Sequence, residues 1–153
     1  MSEHEKHLTP ALEAAALRRR EVREALVAVE DAASSPAVEP DHWRDRVRGA
    51  LADLDEAFEH HVLETEHPGG LYEEMERIAP HLSGKARRLR DEHPLLRASI
   101  AAERARLEVA LPVEAIDPVR DDLQRLLGRI VRHRQHGADL VYEAYAIDIG
   151  AAG

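Results

Sequence analysis

Apolar residues recur every three or four positions along most of this chain, which is the spacing of one face of an α-helix. Four long segments follow this period, and none shows the alternation of a half-buried strand. Proline and glycine interrupt the period near residues 34–40, 67–84 and 111–117, where turns are predicted. The pattern therefore predicts an all-α protein, an antiparallel up-down-up-down four-helix bundle.

Capping residues and breakers predict the ends of the first two helices. Thr9 followed by Pro10 combines an N-cap with proline at the first helical position, and this helix should run to about Ala33. The second helix should begin at Pro40-Asp41 and stop at the breaker His67-Pro68-Gly69-Gly70. A short helix over 71–79 then crosses the end of the bundle.

The last two long helices are predicted from weaker signals. The third should begin with Ser83 as its cap and run to about Ala110, and Pro94 inside it predicts a kink or a later start. The fourth should begin at Asp117-Pro118. The length of 153 residues predicts a single domain over 1–153, with flexible ends at 1–8 and 149–153.

Polar residues stand in phase with the apolar face of each long helix. They are Arg19, His61, His93 and His133, and Glu64 follows His61 by one turn. Burying such groups is costly unless they pair with one another, with a counter-charge or with a metal ion. The pattern thus predicts either a buried polar network or a metal site.

Hairpin symmetry predicts that these residues meet in one layer. Facing residues of an antiparallel pair lie equally far from the turn that joins their helices. The midpoint of His93 and His133 falls inside the third predicted turn, and that of Arg19 and His61 falls at the edge of the first. Bundles build metal sites in this way, from inward side chains on facing helices.

Imidazoles and carboxylates in one layer suit iron, manganese or zinc. The predicted metal ligands are His61, Glu64, His93 and His133. His60 stands four residues before Glu64 and forms a competing pair.

The last helix carries three more residues that bear on the site. His136 and Asp139 lie three residues apart and could also contribute ligands. Gly137 makes either a close helix contact or room for a small ligand beside His133.

Composition narrows the classes of partner and compartment. The net charge is −9, and the arginines alternate with acids, which argues against a nucleic-acid partner. The chain has no cysteine, and hence no disulfide or thiolate ligand. A polar N-terminus and no apolar run near 20 residues predict a cytoplasmic protein without a membrane segment.

Several short motifs over residues 10–148 share the spacing of one known family. They are His60-His61 with Glu64, Leu71-Tyr72, Glu92-His93-x-x-Leu96, a histidine on the last helix, and Gly137-Ala138-Asp139-Leu140-Val141-Tyr142-Glu143-Ala144-Tyr145. Together they resemble the hemerythrin-like (HHE) cation-binding domains, the last motif being similar to a signature of a bacterial branch. The resemblance implies a four-helix bundle around a non-haem di-iron centre. Such proteins bind oxygen or nitric oxide, or sense iron or oxygen.

The chain departs from the family pattern on three helices. Arg19 stands where the first helix should offer a histidine, and Arg97 stands where the third should offer its second. On the last helix, Asp139 follows His133 by six residues instead of five. By position the ligands would be His61, Glu64, His93 and His133. A mononuclear or a lost site fits these residues better than a di-iron site.

Three classes of function follow from these residues. The first is a metalloprotein that binds oxygen or nitric oxide, or handles a peroxide or iron. The second is a metal-free interaction or structural protein, in which Arg19 neutralises Glu64 and the histidines complete a hydrogen-bonded network. The third, a hydrolase or lyase with histidine and glutamate as acid and base, has no nucleophile motif or phosphate loop to support it.

Overall fold

The structure of the protein, a computed structural model, describes the backbone of residues 9–152 and the side chains of residues 9–146. Within this range it is a helical bundle without a strand, which confirms the all-α prediction and the three turns. The helices are α1 (Pro10–Ser34), α2 (Pro40–Glu66), α3 (Leu71–Ile78), α4 (Ser83–Arg106) and α5 (Ile116–Ala152). Single turns of 3-10 helix, Pro80–Leu82 and Val113–Ala115, precede α4 and α5.

The first two long helices begin and end as the sequence predicts. The Thr9 hydroxyl accepts a hydrogen bond from the backbone N–H of Leu12 at 3.1 Å, and caps α1. Pro40 opens α2. At the other end of α2, Gly69 has φ +80°, a conformation that L side chains rarely adopt. This glycine therefore turns the chain from α2 into α3.

The ends of α4 and α5 differ from the predictions. The N-cap position of α4 is Leu82, without a side-chain cap, because the preceding 3-10 turn leads directly into the helix. Helix α4 ends at Arg106 rather than at Ala110, and α5 begins at Ile116 and continues to Ala152.

Proline does not delay the start of α4. Pro94 lies inside α4 on an exposed position, so its ring meets solvent, and His93 stays helical. The predicted flexible ends, 1–8 and 149–153, fall outside the residues whose side chains are described.

Two apolar clusters form the core. The larger one fills the part of the bundle between α1, α2, α4 and α5, and includes Trp43, Leu51, Phe58, Ile100, Leu123 and Ile130. The smaller one is covered by α3 and includes Leu71, Tyr72, Met75, Leu89, Leu140 and Tyr145. The predicted apolar faces of the four long helices supply most of these residues.

The histidines lie between these two clusters along the helices. On α4, His93 has Leu89 of the smaller cluster before it and Leu96 of the larger cluster after it. On α5, His133 follows Ile130 of the larger cluster. A polar layer therefore separates two apolar parts of one core.

No helix among the described residues combines the length and apolarity that crossing a lipid bilayer requires.

We predict opposite effects of alanine at two glycines of the α2 region. A Cβ at Gly70 would lie 2.7 Å from the Glu64 carbonyl oxygen and 2.8 Å from that of His67. Gly70→Ala should therefore lower the unfolding free energy by about 1–3 kcal/mol. Gly49→Ala is the matched control in urea denaturation. A Cβ there meets nothing within 4 Å, so it should stabilise the helix by about 0.5–1 kcal/mol. Equal effects would contradict the close packing of this turn.

Candidate metal centre

The structure brings together three of the four predicted ligands. His61 on α2, His93 on α4 and His133 on α5 are 8, 1 and 3% exposed. One possible ligand atom from each lies within 4.8 Å of those of the other two. The ring centroids are 4.9–5.5 Å apart. The predicted convergence of these three histidines is thus confirmed.

Phe58 forms an apolar wall against all three imidazoles. Its ring centroid lies 5.6, 5.7 and 6.0 Å from those of His61, His93 and His133. Because Phe58 precedes His61 by one turn of α2, the amphipathic period of the sequence places it there. The wall shields the histidine layer on the side of the larger apolar cluster.

Carboxylates fix the outer nitrogen of two imidazoles. Nδ1 of His93 lies 2.5 Å from Oε2 of Glu66, and Nδ1 of His133 lies 2.7 Å from Oε1 of Glu92. An ionised carboxylate only accepts hydrogen bonds, so each Nδ1 carries the proton. The neutral ring then has its lone pair on Nε2, which is how carboxylates orient metal-binding histidines.

The inner nitrogens of His61 and His133 are spaced as two ligands of one metal ion would be. Nε2 of His133 lies 3.4 Å from Nε2 of His61. Two nitrogen ligands of a tetrahedral ion with bonds of about 2.0–2.1 Å lie roughly 3.4 Å apart. Nδ1 of His61 is buried without a partner. A metal ion held by these three imidazoles would keep at least one coordination position open, as in catalytic rather than structural sites.

Tyr72 places a phenol oxygen at the same layer. Its hydroxyl lies 3.2 Å from Nε2 of His93, and the two rings stack with centroids 5.8 Å apart. Since Nδ1 of His93 carries the proton, the tyrosine hydroxyl donates to Nε2 in the metal-free protein, and a metal ion bound at Nε2 would replace this hydrogen bond. Burial raises the pKa of Tyr72 well above its usual value, so the hydroxyl keeps its proton. The sequence placed Tyr72 only in a family motif; a buried tyrosine needs such a partner.

Glu64 lies apart from the three histidines. Its Oε2 is 3.3 Å from Nε2 of His67, and its side chain is 25% exposed. The buried face of α2 continues from His61 to Thr65, whose hydroxyl donates to the His61 carbonyl at 2.8 Å. Thr65 comes four residues after His61, whereas Glu64 comes three residues after it. The Glu64 side chain is turned towards the end of α2. Its role as a ligand stays a prediction.

His60, His136 and Asp139 are not part of the group that the three histidines form. His60 contacts Oε2 of Glu21 at 3.2 Å instead of Glu64. His136 and Asp139 are exposed, and Asp139 accepts a hydrogen bond from Gln135.

Sequence reasoning missed Glu66 and Glu92. Neither residue is in phase with the core face of its helix. Glu92 accepts a hydrogen bond from a histidine on the neighbouring helix rather than from the adjacent His93. The only signal for Glu92 was its place next to the in-phase His93, and Glu66 had no such neighbour.

The predicted ion pair between Arg19 and Glu64 is wrong. No described carboxylate forms a salt bridge with Arg19, because Glu64 is turned to His67. Arg19 instead lines a cavity of about 20 Å³ together with His61, His133 and Gly137. A Cβ at Gly137 would meet nothing within 4 Å, so this glycine leaves room and makes no close helix contact.

Burial keeps the three imidazoles neutral. Desolvation, followed by the effect of the nearby His133 ring and of the cations Arg90 and Arg97, lowers the pKa of His93 to about 3. Burial also lowers the pKa of His61 well below its usual value. It lowers the pKa of His133 too, against the opposing effect of Glu92. Neutral imidazole is the form that binds metals.

Comparison of the chain with protein families, curated proteins and solved structures finds no match. The chemistry of the site therefore has to be inferred from its side chains alone. Three neutral nitrogens, two orienting carboxylates and a nearby phenol are typical of a site for one first-row metal ion.

We predict that the metal-free protein loses stability as the pH falls from about 6.5 towards 5. In this range the unfolded chain protonates its histidines, whereas burial keeps those of the folded protein neutral, so stability falls with pH. One such group contributes up to about 1.4 kcal/mol per pH unit. Urea denaturation of His93→Gln should show a weaker pH dependence than the parent. The exposed His81→Gln is the control, and a stability independent of pH would contradict the buried neutral layer.

Proposed function

We propose that the protein is a non-haem metalloprotein in which His61, His93 and His133 hold one metal ion within a hemerythrin-like bundle. The observation that supports this most is the convergence of three buried neutral imidazoles, two of them oriented by carboxylates. Iron is the first candidate, and manganese and zinc share its preference for such donors. A single ion fits better than two, since the structure offers no bridging carboxylate among the described side chains of this layer.

We also propose that the long helices are antiparallel. Along α4 the chain passes from the smaller apolar cluster to the larger one, and along α5 it passes in the opposite order. Opposite orders on neighbouring helices are what an up-down bundle requires. We further propose that the protein is cytoplasmic, as predicted from the composition.

The site is proposed to bind or sense a small molecule such as oxygen, nitric oxide or a peroxide. A bound metal would supply an open coordination position for that ligand. The cavity of about 20 Å³ beside His61 and His133 has room for one water or a molecule of similar size. Phe58 limits access of water to the layer, and Tyr72 holds a proton close to it.

A metal-free structural role is the second candidate. Hydrogen bonds link Glu66, His93 and Tyr72, and another chain links Glu92, His133 and His61. These chains connect α2, α3, α4 and α5 without any ion. Such a network would stabilise one arrangement of the helices for a partner, and removing one member would cost several kcal/mol.

We predict that metal binding depends on the histidines and on the carboxylates behind them. His133→Ala should abolish stoichiometric binding while the helical content is retained. Glu92→Gln and Glu66→Gln should lower the affinity by about 10- to 100-fold. Anaerobic titration with iron(II), followed by metal analysis of protein purified without a histidine tag, measures this.

Glu64→Gln is the matched control for that titration. It removes a nearby carboxylate that lies outside the histidine group, so the affinity should not change. A loss as large as that of Glu92→Gln would make Glu64 a ligand, as the sequence predicts. Parent protein that takes up no iron, manganese or zinc would favour the metal-free network.

We further predict that Gly137→Ala narrows the ligand cavity without disturbing the metal. The added methyl group meets no atom within 4 Å, so the fold should tolerate it. Iron content should be unchanged, whereas the affinity of the iron(II) form for nitric oxide should fall. Absorption spectroscopy under anaerobic titration measures the affinity. Gly128→Ala, on the same helix away from the cavity, is the control, and equal affinities in both variants would exclude this cavity as the ligand site.

A further inference from the structure

The cavity beside the histidines is lined by buried nitrogen atoms that have no hydrogen-bond partner. Arg19 of α1 and Arg134 of α5 line it together with His61. Nε of Arg19, Nε of Arg134 and Nδ1 of His61 are all buried without a hydrogen-bond partner. A buried donor left unpaired is costly, so a group that accepts from several of them is expected there.

The two guanidinium groups also lack a counter-charge. No salt bridge among the described side chains includes Arg19 or Arg134, and a nitrogen of Arg134 donates to the Arg19 carbonyl at 3.4 Å. Arg44 provides the contrast. Its Nε is buried without a partner as well, yet its other nitrogens pair with Asp41 and Asp45. Arg19 and Arg134 therefore differ from Arg44, because neither of them is paired with a carboxylate.

The charges of the centre leave an excess that an anion would balance. The histidines are neutral, and if a divalent ion is bound, the carboxylates of Glu66 and Glu92 balance it. The charges of Arg19 and Arg134 then remain. Burial, with the positive charges of Arg19 and Arg23, lowers the pKa of Arg134.

We propose that this cavity binds a small oxyanion of the nitrite or formate type between Arg19 and Arg134, beside His61. A guanidinium group matches two oxygen atoms of one anion with parallel N–H donors. The small volume of about 20 Å³ favours a small anion over one as large as sulfate. The contacts with the arginines do not require a metal; the approach of the anion to a metal ion rests on the function proposed above.

Isothermal titration with sodium nitrite and with sodium formate tests the proposal, in chloride-free buffer at low ionic strength. Zinc-loaded and metal-free protein are compared, because zinc has no redox reaction with nitrite. At least one of the two anions should bind saturably, and sulfate should not compete. Arg19→Gln and Arg134→Gln should each weaken binding by about 10- to 100-fold.

Arg44→Gln is the matched control and should leave anion binding unchanged. Circular dichroism and zinc stoichiometry show whether each variant is folded. Where a glutamine variant does not fold, Arg19→Lys or Arg134→Lys keeps the charge but loses the paired donors, and should still weaken binding.

The outcomes separate this proposal from the metal site. Arginine-dependent anion binding by protein that takes up no iron, manganese or zinc supports the anion site and contradicts the metal centre. Zinc uptake with no saturable anion binding in either form overturns the anion site alone. Binding that neither arginine substitution weakens also overturns it.

Discussion

Three imidazoles have to remain neutral in a layer between two apolar clusters, and this requirement governs the polar groups around them. Each ring needs a partner for its N–H and a donor or cation for its lone pair. Glu66 and Glu92 accept hydrogen bonds from His93 and His133, and Tyr72 donates to the lone pair of His93. These partners come from α2, α3 and α4, so the layer links the helices as well as forming a site.

His61 is the ring whose requirements are least satisfied. Its Nδ1 has no partner, and its Nε2 faces the Nε2 of His133 at 3.4 Å. Two neighbouring guanidinium groups, those of Arg19 and Arg134, oppose its protonation further. A metal ion at Nε2 and a hydrogen-bond acceptor near Nδ1 would supply the two partners that His61 lacks. The least stable part of the layer is therefore also where binding would contribute most, since a ligand that binds only the folded state stabilises it.

Amphipathic periodicity predicted the burial of many large apolar residues of the four long helices, and it included the three histidines. The period could do this because residues three and four apart share one helix face. It failed at Glu64, where α2 is about to end and the buried face passes through Thr65. It could not predict the partner of Arg19, since that depends on how the side chain of Glu64 turns after α2 has stopped.

Groups that reach the site from outside the core faces could not be predicted by periodicity. Glu92 lies beside one histidine in the sequence and bonds to another across a helix interface. Tyr72 arrives on the short helix α3, which the turn at Gly69 and Gly70 directs across the bundle. Such contacts depend on the rotation and spacing of neighbouring helices, which no pattern within a single helix specifies.

The central claim is that three imidazoles, and not carboxylates, hold a single ion. X-ray absorption fine structure of protein loaded anaerobically with one equivalent of iron(II) tests it most directly. We expect a first shell with three imidazole nitrogens, identified by the multiple scattering of their rings, and no scattering from a second iron. A shell of oxygen atoms alone, or the same spectrum from a protein in which His61, His93 and His133 are all replaced by alanine, would contradict the account.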